Sequence, residues 1–152
     1  MQQPGAAPRG LGCLLFTEER LWMTLPLRLS LGLVFMAHGG QKLFGWLGGK
    51  GLLGTAAYFA KIGLSPGLLW AALAGGGEFF GGLLVLLGLF TRLGALLIMA
   101  VMLVAMAKVH WGAFFLPAGI EYTLTLLCSA VALLIAGGGK FSLDARLERP
   151  QT

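Results

Sequence analysis

The sequence predicts an all-α integral membrane protein: a four-helix bundle of antiparallel up-down topology, with a short interfacial helix in its first loop. Three observations lead there. Of the 152 residues 57% are hydrophobic and only 11% charged, with a mean hydropathy of +0.85. Soluble domains carry roughly 25% charged residues, so this chain lacks the side chains to cover itself with a polar surface. Its apolar residues gather into four stretches, each near the ~20 residues (range ~17–25) that cross a bilayer. Lipid offers no water to backbone N–H and C=O groups, so stretches of that length fold as helices. The third observation is the 25 glycines, about twice the usual share of ~7%, which give helices smooth faces for close contact.

Taken in order, residues 1–20 form a leader that reads as an inner tail. Leu11 to Phe16 is too short for the apolar core of a signal peptide, and Glu18 and Glu19 stand where small residues should precede cleavage. Met23 offers an alternative translation start. The first span runs over Leu21–Phe44. The loop from Trp46 to Ser65 holds Leu52, Ala56, Phe59 and Ile62 at helical spacing beside Lys50 and Lys61, the pattern of a short amphipathic helix in the interface. The second span covers Pro66–Phe90, with Ser65 as N-cap and Pro66 at the first helical position. A tight turn at Thr91-Arg92 makes the third span, Arg92–Val109, its antiparallel neighbour. The aromatic, uncharged loop Trp111 to Ala118 suits the headgroup boundary. The fourth span is Gly119–Ala136, and residues 137–152 form a cytoplasmic tail.

Charge sets the orientation. Arg9, Arg20, Arg92, Lys140, Arg146 and Arg149 fall on one side; Lys50 and Lys61 fall on the other, with Lys108 near that edge. The positive-inside rule then puts both termini in the cytoplasm of a bacterial inner membrane. The net charge of +5 is dispersed over span ends and makes no basic recognition stripe, which excludes nucleic acid as a partner. Cys13 and Cys128 form no C-x-x-C motif, so dithiol redox chemistry is excluded too. Cys128 reads as a small packing residue.

Ionisable side chains inside a bilayer cost ~2.5–3.5 kcal/mol each at a helix centre, yet the spans keep several. Glu78 lies about 18 Å in from the outer surface at ~1.5 Å per residue, and Arg28 sits in the inner third of the first span. Matched depth predicts a buried structural ion pair between Arg28 and Glu78. A second group collects toward the outer end: His38 and Lys42, four apart on one helix face, with Lys108, His110 and Glu121. Each has a plain structural role open to it, as a dipole partner, a snorkelling cation or an interface residue. Together they form a candidate polar pocket. No His-x-x-x-His or Glu-x-x-His spacing supports a metal. A proton-coupled redox or quinone pocket fits better, with a narrow proton or solute path as the rival. Gly77 and Gly81 form a small-xxx-small pair that packs the second span against a neighbour.

These stretches carry a family likeness. RLSLGLVFMAHGGQK from Arg28, GEFFGGLLVLLGLFTRLGALL from Gly77, KVHW from Lys108, IEYTLTLL from Ile120 and GGGKFSLD ending at Asp144 together resemble the DoxX family of small bacterial membrane proteins. The resemblance runs from about Leu25 to Ala145. It implies a four-helix membrane bundle classed with oxidoreductases and linked to quinone-coupled sulfur oxidation or to membrane complexes of oxidative and thiol stress. The polar positions shared with the family are Arg28, His38, Lys42, Glu78, His110 and Glu121. The leader is longer than the family pattern, and Gly138 stands where many relatives have proline.

The expected function is therefore a subunit of a quinone-linked or stress-related membrane oxidoreductase system; no cofactor motif names its cofactor, and quinone is the candidate. Its partners are the lipid bilayer, a soluble oxidoreductase or another membrane subunit, and further copies of itself. Two alternatives stand beside it: a non-catalytic membrane anchor or assembly partner for a soluble enzyme, and a small transporter or proton path.

Overall fold

The computed structural model describes residues 23–115 and 119–147. The leader with Cys13, the loop residues 116–118 and the last five residues lie outside it. Every regular element among the described residues is helical. Helix α1 is Thr24–Phe44, and a 3-10 turn at Trp46–Gly48 leads to α2, Gly51–Lys61. Helix α3 is Gly67–Leu87; α4 is Thr91–Ala105, and its last turn widens to a π-helical turn at Met106–His110. Helix α5 is Glu121–Ala136, and α6 is the short Leu143–Leu147.

Local chemistry sets the ends. Pro26 lies in the first turn of α1, where its missing N–H has no intrahelical acceptor to lose. Gly45 (φ 75°) and Gly88 (φ 67°) close α1 and α3 in the left-handed conformation, where a β-carbon would be strained. At the start of α3 the expectation from sequence needs correcting. Pro66, with ψ at 126°, is extended and occupies the N-cap position itself, so the helix begins at Gly67 and Ser65 caps nothing. The turn into α4 is likewise Gly88 to Phe90, and Thr91 already belongs to the helix.

Helix α1 packs on α3, α3 on α4, α4 on α5, and α5 touches α1, while α2 lies against α3 and the end of α1. The buried apolar core takes Leu31 and Phe35 from α1, Val85 from α3, Ala95, Ile98 and Met102 from α4, and Ala130 and Leu133 from α5. Glycine decides how close α1 and α3 come. A β-carbon on Gly82 would stand 2.7 Å from the Met36 amide nitrogen, and one on Gly32 would stand 2.7 Å from Leu86 Cβ. Gly39 faces Phe79 in the same way. Each step up α1 is thus matched by one step down α3. The other flank of α3 meets α4 through Gly81 and Gly94: a β-carbon on Gly94 would stand 2.8 Å from the Gly81 carbonyl oxygen. Gly77 lies on that flank too, against Val101.

The outside is apolar. Leu33, Leu73, Phe80, Leu96, Leu103 and Ile135 are all more than half exposed, a surface that water would not tolerate over such an area. Gly67–Leu87 and Thr91–His110 are long and apolar enough to cross a membrane. Helix α1 has the length but carries Arg28, His38 and Lys42. Helix α5, with 16 residues, measures about 24 Å against a hydrocarbon core of ~30 Å. In α2 the predicted stripe of Leu52, Ala56 and Phe59 is half-buried, while Leu53, Ala57 and Lys61 are exposed. That stripe therefore serves α3, and it is the opposite face that is left open.

Candidate functional site

The register between α1 and α3 sorts the charged residues. It brings Lys42 level with about Gly76, less than a turn from Glu78. It brings Arg28 level with about Phe90, roughly 12 residues or 18 Å along the axis from Glu78 at ~1.5 Å per residue. The expected Arg28–Glu78 pair is accordingly not formed. Counting depth from each helix end hid a difference that the glycine contacts fix.

Glu78 pairs instead with Lys42, whose Nζ donates to Glu78 Oε2. The carboxylate side chain is 4% exposed and the lysine side chain 27%, so the anion is buried and the cation leads outward from it. An ammonium group beside a carboxylate removes most of the penalty of holding either in an apolar setting. His38, one turn before Lys42, is exposed and close enough to act electrostatically on Glu78. Buried Thr55 of α2 donates to the carbonyls of Gly51 at 2.8 Å and of Lys42 at 3.3 Å, tying the Lys42 backbone to α2. An aromatic trio gathers at the C-terminal end of α1: Phe44, Trp46 and Phe79, with ring centroids 5.2–5.6 Å apart. The Trp46 ring sits over Gly40, where any side chain would displace it.

The rest of the predicted pocket is carried by the other helix pair. Exposed Lys108 and half-buried His110 lie on the π-helical turn that ends α4, and Glu121 opens α5. Backbone bonds from Ile120 N–H to Ala113 O and from Glu121 N–H to Phe114 O, both 3.0 Å, join the start of α5 to residues 113–114. A shallow depression lies there, lined by Trp111, Gly112, Ala113, Phe114 and Ile120. The five residues read as one pocket are thus placed on two supports, α1 with α3 and α4 with α5, and Glu78 joins the first group.

Arg28 has a different task. It is 2% exposed, and its guanidinium donates to four carbonyls: Val85 (3.0 Å) and Leu86 (3.1 Å) in the last turn of α3, Gly138 (2.9 Å) and Phe141 (3.1 Å) beyond α5. The end of a helix leaves carbonyls without partners and carries partial negative charge, so a cation there is doubly favoured. Asp144 completes the arrangement. Its carboxylate accepts from Phe90 N–H (2.7 Å), Thr91 N–H (3.0 Å) and the Thr91 hydroxyl (2.8 Å), an N-cap for α4 supplied from 53 residues away. Thr24 adds a bond to Gly138 O at 3.0 Å, and buried Ser142 bonds the Ala145 N–H at the start of α6. The segment read as a tail therefore begins with 137–147 folded back on the helix ends. The signal was present in GGGKFSLD: a glycine run that can pass close to backbone, followed by a single acid.

Among the described residues no group of three or more His, Cys, Asp or Glu could hold a metal. A quinone needs N–H donors at a carbonyl and an aromatic face for its ring; Lys42 and His38 supply such donors, and the Phe44–Trp46–Phe79 trio such a face.

The sequence profile of the DoxX family matches residues 23–111. The chain is 31% identical over 121 residues to the "Putative oxidoreductase CatD" of Bacillus subtilis, covering 80% of this chain and 84% of that protein. It is 33% identical over 138 residues to the "Uncharacterized membrane protein Rv3486" of Mycobacterium tuberculosis, covering 83% and 82%. No solved structure matches it.

Proposed function

From the premise that this chain belongs to the DoxX family of membrane proteins, we propose that it is the membrane subunit of a quinone-linked oxidoreductase system. The observation that carries this reading is the buried Glu78 carboxylate paired with Lys42 and within electrostatic reach of His38; the aromatic trio at the end of α1 supports it. The oxidoreductase name of the Bacillus subtilis relative supports it. In this reading α1, α3, α4 and α5 form a four-helix bundle in the bacterial inner membrane, with both termini cytoplasmic, and α2 lies at the outer interface. Quinone, when bound, supplies paired electron and proton exchange. Lys42 Nζ, oriented by Glu78, would donate a hydrogen bond to a quinone carbonyl, and His38 would pass protons between Glu78 and the exterior. Phe44, Trp46 and Phe79 would hold the ring and exclude water. Lys108, His110 and Glu121 serve the outer mouth.

The test is binding of a short-chain quinone to the purified full-length chain in mild detergent, followed by tryptophan fluorescence. Saturable quenching is expected, lost in Trp46→Phe and weakened about tenfold or more in Lys42→Met, the scale for losing a charge-assisted hydrogen bond. Absence of saturable quenching in the parent chain would sink the quinone reading. Co-purification of a soluble oxidoreductase with a chain that binds no quinone would replace it with the anchor reading.

A further inference from the structure

The end of the molecule where α3 turns into α4 collects positive charge that the described residues leave without an acidic partner. Arg28 is fully engaged by carbonyls there. Asp144, the one carboxylate that the described residues bring to this end, is engaged by Phe90 N–H, Thr91 N–H and the Thr91 hydroxyl. Arg92, Lys140 and Arg146 remain exposed. The fold holds them together. Arg92 lies along Gly137, where a β-carbon would stand 3.7 Å from its Nε, and Lys140 follows three residues later. The bonds from Asp144 to the start of α4 keep Arg146 at the same end. Three large apolar side chains are left open beside them: Phe90 at 62%, Phe141 at 61% and Leu147 at 71%.

Cations and apolar side chains exposed together find partners at once on a bilayer surface. The apolar groups enter the acyl boundary, and the long basic side chains reach the phosphates. We propose that this corner is a binding surface for anionic phospholipid, with Arg92, Lys140 and Arg146 on headgroup phosphates and Phe90, Phe141 and Leu147 beneath them. Charge complementarity selects anionic over zwitterionic headgroups. The apolar side chains select lipid over an acidic protein segment, which would leave them in water. Bound lipid would also hold the 137–147 segment, and with it the carbonyls that satisfy Arg28.

The experiment reconstitutes the full chain in nanodiscs of phosphatidylcholine and phosphatidylglycerol, then counts retained lipids by native mass spectrometry. The parent should retain phosphatidylglycerol in preference. That preference should fall about fivefold for each charge removed in Arg92→Gln, Lys140→Gln and Arg146→Gln. Lys50→Gln with Lys61→Gln, distant from this end, should leave it unchanged. Equal retention of the two lipids by the parent, or an unaltered preference in the triple variant, overturns the proposal. Should the triple variant not fold, salt titration of the parent decides: release of phosphatidylglycerol with rising salt supports the surface, and salt-insensitive retention overturns it. Poly-glutamate binding without any lipid preference also overturns it, in favour of an acidic protein partner.

Discussion

Lys42, Glu78 and Arg28 show how much a partner's identity matters to a charge held away from water. Lys42→Met strands the Glu78 carboxylate in an apolar surround, at a cost of about 3–5 kcal/mol for a broken buried pair; the partial exposure of Lys42 argues for the lower end. Adding Glu78→Gln to that variant removes the stranded charge and should restore much of the stability, as read by thermal unfolding in detergent. The same cycle run on Arg28→Met and Glu78→Gln tests the corrected pairing. Sites about 18 Å apart along the helix axis should be additive within ~0.5 kcal/mol. A larger coupling would return Arg28 and Glu78 to one another.

Helix α3 is governed by which of its glycines have neighbours. Gly82 lies against Met36 and Gly32, so Gly82→Ala forces α1 and α3 apart and should cost about 1–3 kcal/mol, the range for overpacking a close contact. Gly76, between Gly75 and Gly77, has nothing within 4 Å of the place a β-carbon would take. Gly76→Ala should therefore be neutral or stabilising by up to ~1 kcal/mol, through helix propensity alone. Thermal unfolding of the two variants side by side checks this. If both lose stability equally, the register between α1 and α3 is wrong. The sequence showed that α3 was rich in glycine, and Gly77 with Gly81 showed one smooth flank, which meets α4. It did not show that Gly75 and Gly82 make a second flank for α1, because nothing local distinguishes one small residue's neighbour from another's.

At the scale of the molecule, an apolar outside and charge-bearing ends argue for passage through a bilayer, and the charge bias predicts its direction. With Cys13 and Cys128 replaced by serine, single cysteines at Lys50 and at Lys140 should react with an impermeant thiol reagent from opposite faces of the membrane. Labelling of both from the same face would mean that α1 to α5 do not cross as an even-numbered bundle.

Composition and periodicity alone determined the helical class, the membrane environment and which polar residues were out of place in an apolar segment; the polar motifs themselves carried the likeness to the DoxX family. Those properties are additive along the chain, so they can be read residue by residue. The pairing of those polar residues was decided only in three dimensions. Lys42 reaches Glu78, and Arg28 reaches carbonyls instead, because glycine contacts lock α1 and α3 in a register that no local pattern encodes. Asp144 caps a helix that starts 53 residues earlier, since an N-cap needs only an acceptor at the right point in space, wherever the chain supplies it.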